Sequence, residues 1–214
     1  MMLLVGHQRG ASRFMSRFME KLGFDTPHDE WGKDGMVTTI TAHDKNMSLE
    51  DIEQLLDEHD VIQFARAPRR CISTIFNVDM YGMVSRDPMF HWPVCGRYIG
   101  DWIDRLTPLE LASMSYFWWH DLYWKHEPSL VVRVENDLPK LCSFLGKEMI
   151  DTSDIDRTGA TAYMNEYPYR REPFWGHEIH KYVGAPVSNR LKDIANRLGY
   201  NPETLDVSDH SMPD

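Results

Sequence analysis

Met2-Leu3-Leu4-Val5-Gly6-His7-Gln8-Arg9-Gly10-Ala11-Ser12-Arg13-Phe14 is a short apolar run, a small basic loop with two glycines, and the start of an amphipathic segment. Strand, tight loop and helix N-terminus in that order make a place to hold a phosphate or a similar oxyanion. Backbone N–H groups at a helix start point at the anion, and the helix dipole favours negative charge there. Gly6 and Gly10 let the backbone bend and approach closely, while Arg9, Arg13 and the Ser12 hydroxyl add side-chain donors. The competing reading is an ordinary strand–turn–helix with two surface arginines.

Outward from this stretch, the pattern keeps alternating. Phe14, Met15, Phe18, Met19 and Leu22 form the apolar stripe of a helix over Ser12–Leu22, stopped by Gly23. Residues 24–47 read as a long connection with one short strand at Met36–Ile40. Ser48 is the expected N-cap of a helix over Leu49–Glu58. Val61–Ala65 is the next core strand, followed by helix from Arg69 to Met80, and residues 81–106 are weakly regular. Thr107-Pro108-Leu109-Glu110 combines an N-cap, a proline at the first helical position and a Glu at the third, predicting a helix to His126. Leu130–Val134 is a strand and Leu138–Leu145 a short helix closed by Gly146. Residues 151–186 read as ordered loop, and Val187–Leu198 as a last helix stopped by Gly199.

Strands alternating with helices predict a three-layer α/β/α fold with a mostly parallel central sheet, as one domain over residues 1–200. Residues 201–214 are polar and are expected to form a flexible tail. Ligands of such sheets sit at the carboxyl ends of the strands. The opening loop and the segment after Phe64 are both such ends.

The chain has 214 residues, 42% of them hydrophobic, which suffices for a core. The run Met1–Val5 is too short for a signal peptide, and no later stretch is apolar for long enough to span a bilayer, so no membrane partner is expected. Cys71, Cys95 and Cys142 are odd in number and lack metal-ligand spacing, as suits reduced thiols in the cytoplasm. A net charge of −10 argues against a general nucleic-acid binder. The cations that matter, Arg9, Arg13, Arg66, Arg69 and Arg70, fall in two short segments.

A nucleotide kinase of the Walker type needs a lysine for the phosphates, a Ser/Thr on Mg²⁺ and a strand-end acid. Here the lysine position holds Ser12, the next holds Arg13, and the second core strand ends in Arg66. The phosphate loop is present without the metal equipment.

In this respect the chain resembles the sulfotransferases that use 3′-phosphoadenosine 5′-phosphosulfate. His7-Gln8-Arg9-Gly10-Ala11-Ser12 matches their first loop, with Gln8 in place of proline and Gly10-Ala11 in place of Ser-Gly. Arg66-Ala67-Pro68-Arg69-Arg70-Cys71-Ile72-Ser73-Thr74 matches their 3′-phosphate element, with Thr74 in the serine position. Residues Val132–Pro139 and Leu141–Gly146 look like the family's strand, acidic turn and small helix, so the resemblance covers 2–146. It implies a P-loop NTPase-like sulfotransferase fold and metal-independent, in-line sulfuryl transfer to the hydroxyl or amine of a small-molecule or saccharide acceptor. The implied nucleotide contacts are Arg9, Gly10, Ala11, Ser12 and Arg13 at the 5′ end and Arg66, Ser73 and Thr74 at the 3′-phosphate. Arg157, in Asp156-Arg157-Thr158-Gly159, is a further contact of that kind. A small-molecule kinase and a non-catalytic nucleotide-binding relative are the alternatives.

Family members use a His or a Glu as base. Pro27-His28-Asp29-Glu30-Trp31-Gly32-Lys33-Asp34-Gly35 offers His28 or Glu30, with Lys33 near the bridging oxygen and His43 and Asp44 as weaker choices. An ion pair with an acid such as Glu135 is the competing role for Arg66, and a solvated helix start that for Arg69 and Arg70. Trp92, Trp102, Trp118, Trp119 and Trp124 are candidates for an acceptor site, with core expected for Trp118 and Trp124. His177 and His180 are expected to be structural or surface residues rather than metal ligands.

Overall fold

A computed structural model describes residues 1–7, 9–39, 48–80, 105–155 and 173–207. Four parallel strands form the sheet: β1 (Met2–Val5), β2 (Gly35–Thr38), β3 (Asp60–Ala65) and β4 (Leu130–Arg133), in the order β2-β1-β3-β4. Helices α1 (Ser12–Lys21), α2 (Leu49–Asp57), α3 (Pro68–Thr74), α4 (Pro108–Lys125), α5 (Leu138–Phe144), α6 (Gly176–Tyr182) and α7 (Ala185–Arg197) surround it, and a π-helical turn, Ile75–Met80, continues α3. No helix among the described residues is long and apolar enough to cross a membrane.

The strands alternate their side chains between two faces, as period two requires. Leu4, Val37, Ile62, Phe64 and Val132 pack with Met15, Phe18 and Met19 of α1 and Leu138 and Leu141 of α5. Leu3, Val5, Met36 and Val61 pack on the other face with Ile52 and Leu56 of α2 and Trp119, Leu122 and Tyr123 of α4. Burial on both faces is why the strands read as continuous apolar runs. α3, α4 and α7 join in a third cluster with Ala65.

The caps expected of α2 and α4 are present. Ser48 and Thr107 each accept from the third helical N–H, and Asp51 and Glu110 reach back to the capping residue. These reciprocal bonds also hold the Glu110 carboxyl below its usual range despite desolvation.

Three expectations differ from the structure. First, residues 176–182 are helical; α6 is too short for a periodic signal and turns only Ile179 and Gly176 fully inward. Its start is fixed by the Trp175 N–H, which donates to Glu178 at 2.7 Å. Second, residues 201–207 are packed rather than frayed: Leu205 is fully buried, its carbonyl accepts from Arg69 N–H at 3.0 Å, and Asp206 ion-pairs with Arg69. Arg69 and Arg70 are therefore partners of Asp206, not a purely solvated pair. Third, Trp124 is 37% exposed, whereas Trp119 is buried and Trp118 is half-buried between clusters.

Candidate functional site

Parallel pairing puts the ends of all four strands at one edge. Val5 pairs with Thr38 and Gln63, and Ala65 pairs with Arg133, so the segments starting at Gly6, Thr39, Arg66 and Val134 leave the sheet side by side. Both basic segments lie at this edge.

The loop after β1 is held tightly. Gly10 N–H donates to the His7 carbonyl at 2.7 Å, and a Cβ on Gly10 would stand 2.5 Å from that oxygen. Arg9 and Ala11 both have positive φ, 67° and 78°, whereas Gly10 between them does not. Backbones that alternate in this way form concavities suited to anions, and here the Gly10 N–H is taken by the His7 carbonyl. The left-handed region costs a non-glycine residue about 1 kcal/mol, and such strain collects at functional loops. Ala11 lends α1 no side-chain cap. The first bond of the ladder is Met15 N–H to Ala11 O, so the N–H groups of Ser12 and Arg13 precede it.

Arg66 follows β3 and extends its Nη1 to the Arg9 carbonyl at 3.4 Å, joining the two basic segments. Among the described residues no carboxylate lies within ion-pair distance of Arg66. Glu135, the competing partner, is engaged elsewhere: it accepts from Ala67 N–H and from the Tyr200 hydroxyl, each at 2.9 Å. Two tyrosines of α4 brace the same edge from below. The Tyr116 hydroxyl donates to the Arg66 carbonyl at 2.9 Å, and that of Tyr123 to the Gly6 carbonyl at 3.3 Å. Burial raises both phenols well above their ordinary pKa, so they remain donors.

Between these tyrosines lies a buried polar layer. His7 Nε2 is 2.9 Å from Ser115 Oγ, and its Nδ1 is 3.8 Å from Cys71 Sγ. Gln63 Nε2 donates to His120 Nδ1 at 2.9 Å. Desolvation and then the nearby His7 press the His120 pKa well below its ordinary value, keeping the ring neutral.

His28 reaches the first loop because the chain before it runs along the outer edge of β2. Val37 N–H donates to Pro27 O at 3.1 Å, Asp29 N–H donates to Val37 O at 2.9 Å, and His28 forms a parallel bridge with Val37. His28 Nε2 then lies 2.8 Å from Ser12 Oγ. Its Nδ1 lies against Asp29 Oδ2 outside hydrogen-bond alignment, and Asp29 Oδ1 accepts from Thr38 Oγ1 at 2.8 Å. Asp29 and Thr38 carry no local sign of this placement, since an acid beside a histidine in a loop has no periodic signal. Glu30 and Lys33 are exposed, and their side chains make no hydrogen bond or ion pair with described residues.

The structure thus gathers Arg9, Gly10, Ala11, Ser12, Arg66 and His28 at one corner. Arg13 is exposed on the first turn of α1. Ser73 and Thr74 are differently employed: each hydroxyl donates back to its own helix, to Arg69 O and Arg70 O, and Ser73 also accepts from Phe174 N–H at 2.8 Å. Hydroxyls inside a short helix often bond back in this way. His180 is held at both nitrogens, by Ser188 Oγ and Pro202 O, which leaves it none for a metal. No cluster of His, Cys, Asp and Glu among the described residues is placed to hold a metal ion. Arg157, Gln8, His43, Asp44, Trp92, Trp102 and Cys95 lie outside the described residues. Comparison with protein-family models and with curated protein sequences finds no match to this chain.

Proposed function

We propose that this chain is a sulfotransferase with a P-loop-like α/β fold, binding 3′-phosphoadenosine 5′-phosphosulfate at the edge formed by the β1 and β3 ends. The observation that carries the reading is the contact between the two basic segments, Arg66 Nη1 on the Arg9 carbonyl. Two cationic strand ends side by side suit a nucleotide with phosphates on both ends of its ribose. The donor set fits such a ligand: the start of α1 offers the Ser12 and Arg13 N–H groups with the Arg9 and Arg13 side chains, and Arg66 is free of carboxylate partners among the described residues. The 3′-phosphate falls to Arg66, not to Ser73 or Thr74, whose hydroxyls serve the fold.

Bound there, the nucleotide supplies a sulfuryl group for in-line, metal-independent transfer to an acceptor hydroxyl or amine. His28 is the base of this reading, because its Nε2 already faces a hydroxyl in the first loop, with the Asp29 carboxylate beside its other nitrogen. Arg9 and the start of α1 stabilise the charge that develops on the departing phosphate.

Isothermal titration tests the reading. Adenosine 3′,5′-bisphosphate is expected to bind about ten- to a hundredfold tighter than adenosine 5′-monophosphate, since one charge-assisted contact contributes roughly 1.5–3 kcal/mol. Equal affinities would remove the 3′-phosphate from the account.

A further inference from the structure

The Ser12 corner carries a second chemistry that needs no nucleotide. Ser12 Oγ is 2.8 Å from His28 Nε2, and His28 Nδ1 contacts a carboxylate, that of Asp29, whose side chain is only 3% exposed. Thr38 Oγ1 fixes the other oxygen of that carboxylate at 2.8 Å. In the tautomer protonated at Nδ1, the nitrogen beside that carboxylate, the Nε2 lone pair faces the serine hydroxyl. An imidazole nitrogen within hydrogen-bond reach of a hydroxyl can serve as its base and turn a serine oxygen into a nucleophile, and such a pair is recognised by geometry, not by order in the chain. Ser12 also opens a helix directly after a strand and a tight turn, with the Ser12 and Arg13 N–H groups ahead of the first ladder bond. Such N–H groups are suited to an oxyanion forming beside Oγ. The imidazole is 28% exposed, so an ester can reach it from solvent.

We propose that Ser12 is an activated nucleophile that takes an acyl group from a carboxylic ester, with His28 as general base and Asp29 as the residue that positions it. In the first step Ser12 Oγ bonds to the carbonyl carbon and its proton passes to His28 Nε2. The carbon–oxygen bond to the alcohol then breaks, and His28 returns the proton to the departing oxygen. Water attacks the acyl-serine in the second step, giving its proton to His28, which passes it to Ser12 Oγ as that oxygen leaves. Ester and water become acid and alcohol, with no oxidant or cofactor.

The full chain is treated with a fluorophosphonate probe and mapped by peptide mass spectrometry, and in parallel given p-nitrophenyl acetate. One adduct per chain on Ser12 and release of p-nitrophenol are expected. His28→Gln should slow both by on the order of a hundredfold or more, and Asp29→Asn should also slow them substantially. No adduct on Ser12 of the unaltered protein overturns the proposal whatever the variants do. So does an adduct whose rate is the same in His28→Gln and Asp29→Asn, because Ser12 would then be reactive only by exposure. Neither arm uses a nucleotide, so the result is independent of the sulfotransferase reading.

Discussion

Replacing Glu135 by alanine removes the carboxylate that holds the turn behind Arg66. That carboxylate accepts from Ala67 N–H at 2.9 Å, and Ala67 is fully buried, so water has no ready route to replace the bond. A buried donor left without an acceptor costs about 1–3 kcal/mol. The Tyr200 hydroxyl loses its 2.9 Å bond to Glu135 but keeps the Ala65 carbonyl at 3.0 Å. Its loss is accordingly about 0.5–1 kcal/mol. Together, Glu135→Ala should destabilise the protein by about 1.5–4 kcal/mol, or roughly 3–16 °C in melting temperature for a chain of this size. Glu135→Gln keeps an oxygen acceptor for Ala67 and should lose less than half as much. Urea unfolding of the three proteins measures both. An alanine variant within about 0.5 kcal/mol of the unaltered protein, the range of an ordinary surface change, would refute the bracing role.

Arg66→Ala should weaken adenosine 3′,5′-bisphosphate by about ten- to a hundredfold in a titration; unchanged affinity would take Arg66 out of the site. His28→Ala should abolish release of the bisphosphate from the phosphosulfate while nucleotide binding persists, whereas Glu30→Ala should leave both nearly intact; the opposite pattern would transfer the base to Glu30. His120 is held neutral in the fold with its pKa depressed, so below about pH 6.5 the unfolded chain binds a proton that the folded chain does not. The stability this provides is present above that pH and falls on acidification at up to about 1.4 kcal/mol per pH unit, and urea unfolding from pH 7 to 5 should show a shallower loss in His120→Gln. Gly6→Ala would place a Cβ 2.2 Å from Phe64 Cε2 in a ring that is fully buried, and should cost about 1–3 kcal/mol in the same assay.

The sheet and its principal helices were legible because they rest on local signals: apolar runs for β1 and β3, a 3.6-residue stripe for α1, and capping boxes at Ser48 and Thr107. The meeting of Arg9 and Arg66 followed from those signals, since parallel strands deliver their carboxyl ends to one edge. What escaped the sequence depends on partners far along the chain. Nothing local ties Asp206 to Arg69, 137 residues away, so a polar tail looked loose. Nothing local placed His28 rather than Glu30 beside Ser12 either; that placement follows from the bridge between His28 and Val37. Ser73 and Thr74 sat at the right spacing for a phosphate, but each bonds back to its own helix.

In the proposed function, the edge at Arg9 and Arg66 takes a nucleotide phosphorylated on both sides of its ribose, without a metal. Thermal unfolding with adenosine 3′,5′-bisphosphate or ADP, each with and without Mg²⁺, addresses it most directly. At a concentration a hundred times Kd, the bisphosphate should stabilise the fold by about 2.7 kcal/mol, a rise of roughly 5–11 °C that Mg²⁺ does not change. A rise with ADP that equals or exceeds that of the bisphosphate, and that depends on Mg²⁺, would contradict the account.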